Sequence, residues 1–225
     1  MATVLFQEEV EVPLSVDSLA DFRAWASSDS FPHKGRIDFI AGRIEVDMAA
    51  EEIFMHGSVK SEIARVLLHR VKGQRLGHLW IADTRISCPE ADLSAEPDIV
   101  FVSHNTLQSG RARPVPKAGQ KRNRYVEVEG APDLIVEVVS DSSVAKDKER
   151  LPPAYYQAGV PEFWLVDARG EQPSFIIHHR GAKGYLPVNR DARGFQRSTV
   201  FGCRFRLDCG TDPYGDPDYD LLDDG

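Results

Sequence analysis

The chain is 225 residues long, 42% hydrophobic and 28% charged, with a net charge of −8. That is ordinary soluble globular composition and enough chain for one large domain, and it excludes collagen-like, coiled-coil and wholly disordered architectures. Three cysteines without CxxC spacing exclude a disulfide scaffold and suggest a reducing compartment; with no basic leader and no apolar run near the roughly 20 residues of a membrane helix, the expectation is a cytoplasmic protein that keeps off membranes.

In chain order, apolar spacing predicts a helix over Leu14–Ser27 and a hairpin over Arg36–Val46 that turns at Ala41–Gly42. A clear amphipathic helix follows from His56 to Lys72, with Val59, Ile63, Val66, Leu67 and Val71 in one stripe. Strand signals come next at His78–Cys88, Asp98–Ser103, Tyr125–Glu129, Leu134–Ser140 and Phe163–Asp167. A helix is expected through Ala154–Ala158, with Pro152 or Pro153 in its first turn and Gly159 just past its end. Further strands are expected at Phe175–Arg180, Tyr185–Val188 and Val200–Leu207. The pattern is one α/β domain over residues 1–211, a central mixed sheet with helices on its faces.

Charge is unevenly spread. Residues 212–225 hold six aspartates and no basic residue, and read as a disordered acidic tail. Ser103–Tyr125 is the reverse, an inserted loop that holds Arg111, Arg113, Lys117, Lys121, Arg122 and Arg124 with no acid. Such a segment suits phosphates, whose neutralisation releases counterions, although a solvated loop has the same composition.

The most informative residue is Glu137, set inside Leu134-Ile135-Val136 and Val138-Val139. So apolar a run reads as a strand buried on both faces, where a lone carboxylate costs several kcal/mol unless it is paired or binds a metal. A second carboxylate, Asp98, opens the apolar strand that follows Pro97. Two acids on neighbouring strands could converge on one Mg²⁺ or Mn²⁺ with the Val138 carbonyl as a third donor. An Arg or Lys partner for Glu137 would explain it equally well, and the residues alone leave both open. No HExxH, GxSxG, GxGxxG or Walker loop is present.

The succession IAGRIEVDM, HGSVKSEIARVL, EPDIVFV, APDLIVEVVSDSS and YYQAGVPEFWLVD, from about Arg36 to Asp167, resembles the Uma family (Uma-two type) of restriction endonucleases within the PD-(D/E)xK superfamily. The resemblance implies a restriction-endonuclease-like fold and a hydrolase, a magnesium-dependent endonuclease that cuts phosphodiester bonds in DNA, often as a homodimer. It carries the metal-ligand role onto Asp98 and Glu137; the family often has a histidine where His56 stands, for which a role near the metal and a helix-capping or packing role are both open. The superfamily lysine two residues after the acid is replaced here by Val139, and the position the family uses instead, four before Tyr155, is Leu151. One helical turn away, Lys148 is the expected catalytic lysine, ahead of Lys146 and Arg150. The basic residues from Arg111 to Arg124 would grip the DNA backbone. The alternative is a nucleic-acid-binding or interaction protein that has lost catalysis on the same scaffold.

Overall fold

The computed structural model describes residues 12–117 and 124–225. Helix α1 (Leu19–Ala26) is capped by the Ser18 hydroxyl, which accepts from the Asp21 N–H, and buries Leu19, Phe22 and Trp25. These pack on Ile37 and Phe39 of strand β1 (Arg36–Ile40). The expected hairpin is present: β1 pairs antiparallel with β2 (Arg43–Asp47). Ala41 and Gly42 both take positive φ at the turn, the geometry that matches strand twist in a two-residue loop.

The amphipathic stretch forms α2 (Val59–Gly73), entered through a π-helical turn at Ile53–Ser58. The run expected as one strand over His78–Cys88 is two, β3 (Gly77–Ile81) and β4 (Arg85–Cys88). Ala82 and Asp83, both at positive φ, break it and send the chain from one sheet to another. After β5 (Leu93–Ala95) and β6 (Ile99–Ser103) come the short helix α3 (His104–Ser109) and the hairpin β7 (Ala112–Pro116) with β8 (Tyr125–Gly130). Then follow β9 (Leu134–Val138), a second π-helical turn (Lys146–Arg150), α4 (Leu151–Ala158), β10 (Glu162–Asp167), β11 (Ser174–Arg180) and β12 (Tyr185–Pro187). The last strands are β13 (Gln196–Arg197), β14 (Arg204–Thr211) and β15 (Pro217–Asp223).

The architecture is α/β, as expected, with mixed sheets flanked by helices. One six-stranded sheet runs β2-β1-β5-β4-β8-β7, a second β12-β11-β10-β9-β6-β3, and a third has three strands, β13-β14-β15. The second sheet is covered on both faces. Val59, Ile63, Leu67 and Val71 of α2 and Phe205, Tyr219 and Leu221 of the small sheet pack against Ile99, Phe101, Leu134, Val136 and Trp164. On the other face Leu151, Ala154 and Tyr155 of α4, with Ile86, Leu93 and Val128 of the first sheet, cover Val100, Val102, Ile135 and Phe163. Strand β9 is therefore buried on both sides, as its composition predicts, and each fully buried Val, Leu or Ile there is worth about 1.5–3 kcal/mol.

The acidic stretch is not a loose tail. Strand β15 pairs with β14 from Phe205↔Asp223 to Thr211↔Pro217, and alternation turns Tyr219 and Leu221 into the core while Asp218 and Asp220 face out. Its polar face hid this strand, because an alternating pattern rich in Asp reads as solvated chain. Among the described residues, no helix is long and apolar enough to cross a membrane.

Candidate active site

The antiparallel register of β6 on β9 pairs Ile99 with Val136. Continuing it by one residue sets Asp98 opposite Glu137, so both carboxylates lie on the face that carries Val100 and Ile135. Asp98 is fully buried and well supplied. Its Oδ2 accepts the Val138 N–H at 2.8 Å, and its Oδ1 accepts from the Arg36 guanidinium at 2.9 Å. His56 Nε2 lies 3.4 Å from Oδ2 and Lys60 Nζ 3.9 Å from Oδ1. Burial alone would raise its pKa, but His56, Arg36 and the Val138 N–H outweigh burial and hold Asp98 ionised far below the usual carboxylate range.

Glu137 is the opposite case. It is 1% exposed and accepts one hydrogen bond, from the Tyr155 hydroxyl to Oε1; Oε2 has no hydrogen-bond partner. Burial, then the charges of Asp147 and Asp98, push its pKa well up against the pull of Lys146 and Arg36. Asp147 is similar: its Oδ2 accepts from Ser143, its Oδ1 has no partner, and burial pushes its pKa up to about 6.

Asp38 completes the cluster from β1. Its Oδ1 accepts the Glu96 N–H at 3.0 Å and its Oδ2 accepts from Lys146 Nζ at 2.9 Å. Burial opposes the charge on Lys146, and the anions Asp38 and Glu137 more than offset it, so this buried ammonium stays protonated. The sequence reading passed over Asp38, although it sits between Ile37 and Phe39 in the same lone-acid pattern that singled out Glu137.

Lys148 is not part of this cluster. Its Nζ pairs with Asp167 at 2.6 Å on the half-exposed side of the turn, whereas Lys146 is buried beside Asp38. The reason is local. Pro152 and Pro153 lack the N–H groups that an α-helix would direct at the carbonyls of Lys148 and Glu149. The chain instead makes a π-helical turn, in which the Leu151 N–H donates to the Lys146 carbonyl. In that turn Lys146 and Asp147 are buried, and Lys148 is left on the outer side.

The first π-helical turn, Ile53–Ser58, positions His56. Glu52 caps it by accepting the Phe54 N–H at 3.1 Å, and the Gly57 N–H donates to the Glu52 carbonyl at 2.9 Å. His56 is thereby buried, with Nδ1 2.6 Å from Glu51. Burial disfavours its charged form, but Asp98 and Glu51 on either side raise its pKa above the ordinary histidine value. Arg36, His56 and Lys60 line a cavity of about 240 Å³ with Asp47, Glu51 and Glu96. The lining therefore carries charges of both signs, and Asp98 lies behind it, bonded to Arg36 and close to His56 and Lys60.

The basic segment is divided. Arg111 pairs with Asp133, and Arg113 donates to Glu129 at 3.0 Å, so acids from neighbouring strands hold both. Lys117 and Arg124 flank the β7–β8 hairpin with no ion-pair partner among the described residues. Lys121 and Arg122 lie outside the described residues.

The donor set suits a hard divalent cation. Such ions take oxygen ligands, and Mg²⁺ commonly uses one or two protein carboxylates with water or substrate oxygens in the other positions. Glu137 offers a buried oxygen with no partner, opposite a second carboxylate. No cage of three or more His, Cys, Asp or Glu side chains exists among the described residues.

A family model described as "Putative restriction endonuclease", Uma2, matches residues 19–208, from the first residue of α1 into β14. The chain belongs to the Uma2 family. Among matching solved structures is one titled a "putative nuclease" from Anabaena variabilis, at 17% identity, with a TM-score of 0.57 over 82% of this chain and 90% of that one. At that identity the likeness establishes the fold, which is restriction-endonuclease-like. No curated protein matches. The Uma2 match ends before β15, so the strand that closes the small sheet lies outside it.

Proposed function

We propose that this Uma2 protein is a metal-dependent endonuclease that hydrolyses phosphodiester bonds in DNA. The observation that carries the proposal is Glu137 Oε2, a buried carboxylate oxygen without a partner, on the strand beside Asp98. Glu137 and Asp98 would hold Mg²⁺ or Mn²⁺, with the Val138 carbonyl as a backbone donor. When bound, the ion supplies Lewis-acid polarisation of the scissile phosphate and an acidified water.

The chain's own residues do the rest. Arg36, Lys60 and His56, which line the cavity beside Asp98, would pair with the phosphodiester oxygens there. Lys146, fixed at 2.9 Å by Asp38, stands in for the expected Lys148 as the buried cation that orients the attacking water. Lys117 and Arg124 hold the flanking backbone without reading bases. A homodimer, expected from the superfamily, is part of the same proposal.

A second reading, a nucleic-acid-binding protein that does not cut, draws on the Arg36–Asp98 pair, because Arg36 competes with a cation for Asp98. One experiment separates the two. Plasmid nicking is followed with Mg²⁺, Mn²⁺ or EDTA for wild type and Glu137→Gln, alongside the thermal shift each ion produces. The nuclease reading expects metal-dependent nicking and a metal-induced rise in Tm, both absent in Glu137→Gln. DNA binding with neither effect selects the second reading, and nicking that survives both EDTA and the substitution rejects the proposed site.

A further inference from the structure

A second cavity is larger than the one over Asp98. A groove of about 680 Å³ opens between β3, the edge of the second sheet, and the β7–β8 hairpin at the edge of the first. Its floor carries His78 and Trp80, whose rings stack at 5.6 Å and 13°. The ring of Tyr125, which is 55% exposed, contributes to the same groove from β8. Lys117 and Arg124 stand at its rim, and neither has an ion-pair partner among the described residues. Two acids line the groove, Asp83 and Glu127, and Glu127 lies 2.6 Å from Arg23, which neutralises it.

Two observations join this groove to the candidate active site. Asp83 lines both cavities, and the Ala82 N–H donates to the Asp98 carbonyl at 2.9 Å. Trp80 pairs with Val100, two residues along β6 from Asp98 and on the same face of the sheet. At the rise of an extended strand, that places Trp80 one strand over and about 7 Å along from Asp98.

We infer that the groove holds unpaired nucleotides next to the scissile bond, a base entering beside the His78–Trp80 stack and Tyr125 while Lys117 and Arg124 take its phosphates. The inference rests on the nuclease reading and narrows its substrate to DNA with single-stranded character. The physical reason is geometric. Aromatic side chains that offer ring faces reward a base whose own face is free, and duplex DNA shows the protein only base edges in its grooves. A purely electrostatic backbone groove has no use for three aromatic rings between its cations.

The test uses the full chain in EDTA, so that no strand is cut, at fixed salt. A short labelled oligodeoxythymidine is titrated by anisotropy, with intrinsic tryptophan emission read in parallel. Trp25 and Trp164 are 6% and 0% exposed, so quenching reports on Trp80. The expected result is quenching and an affinity about tenfold above that for an abasic strand of the same length, the scale of one base stacked on an aromatic ring. Trp80→Phe should keep most of that preference and Tyr125→Ala should reduce it.

An abasic strand that binds as tightly, or a duplex of the same sequence that competes as well as the single strand, overturns the inference. Because the comparison is made on the ligand side, it holds even if a Trp80 variant folds poorly. Failure of the two readings is distinguishable. Metal-dependent nicking without base preference removes this inference alone, while base preference without any nicking removes the nuclease reading and leaves a single-strand binder.

Discussion

Glu137 and Glu162 lie on neighbouring parallel strands, both buried, and they have opposite surroundings. Glu162 opens β10, and its carboxylate is enclosed by donors: Trp164 Nε1 at 2.8 Å, the Ser198 hydroxyl at 2.6 Å, and the Thr199 N–H and hydroxyl at 2.7 and 2.9 Å. His179 Nε2 lies 3.3 Å away. Burial pushes its pKa up, but these groups outweigh burial and hold it below the ordinary range. Glu137 has the Tyr155 hydroxyl and an oxygen left over. A buried carboxylate that the fold satisfies is a structural device, linking β10 to the loop ahead of β14. One left unsatisfied, as Glu137 Oε2 is with Asp147 Oδ1 in the same cluster, marks a place where something from outside completes the bonding.

The comparison can be broken most forcefully at Glu162. Glu162→Ala leaves five hydrogen-bond donors, Trp164 Nε1, the Ser198 hydroxyl, the Thr199 N–H and hydroxyl and the Val200 N–H, without their acceptor and should cost about 3–5 kcal/mol of stability, read by chemical denaturation. Its pH dependence has a definite sign. A carboxyl held below its ordinary value of 4.5 stabilises fully above that value and loses the contribution as pH falls. The gap between wild type and Glu162→Ala should therefore narrow as the pH is taken below about 4.5, and a gap that is constant with pH would count against an ionised Glu162.

Glu137→Gln should do the reverse. Metal-dependent nicking falls at least about 100-fold, the scale that even outer partners of a bound metal reach, while Tm in EDTA does not drop, because no satisfied bond network is lost. A large loss of stability in this variant would make Glu137 another structural acid. Lys146→Ala against Lys148→Ala is the next contrast: the buried lysine should cost roughly 10- to 100-fold in cleavage rate, the half-exposed one no more than about twofold. Equal losses would restore the α-helical register that the π-helical turn displaces. The smallest effect belongs to Tyr155→Phe, which removes the one donor to Glu137. About 1–2 kcal/mol of stability should go, measurable by urea titration, with metal affinity unchanged or improved.

Much of this was legible in the chain alone. The lone acid in Leu134–Val139, the acid opening β6, the Ala41–Gly42 hairpin and the stripe of α2 are local patterns, and local sterics and apolar periodicity suffice to read them. Asp38 carried a similar signal from a strand of the same length, but it lies in an alternating hairpin, where every second residue is expected to face solvent. Lys146 was not legible, because a choice among Lys146, Lys148 and Arg150 depends on how two prolines deform a helix start. Arg36 and Glu162 could not be placed either, since their partners lie 62 and 36 residues away.

The sequence by itself therefore determined which segments are strands buried on both faces, that two acids interrupt them, and that the family is one of restriction-endonuclease-like proteins. Only the tertiary structure decided which charges neutralise one another. It gave Asp98 to Arg36 and Lys146 to Asp38, consumed Arg111 and Arg113 in acid pairs, turned the acidic stretch into a packed strand, and left one oxygen of Glu137 over. The division follows from range. Burial and periodicity are written in residues a few positions apart, whereas a charge is satisfied by whatever the fold brings within about 4 Å of it, from anywhere along the chain.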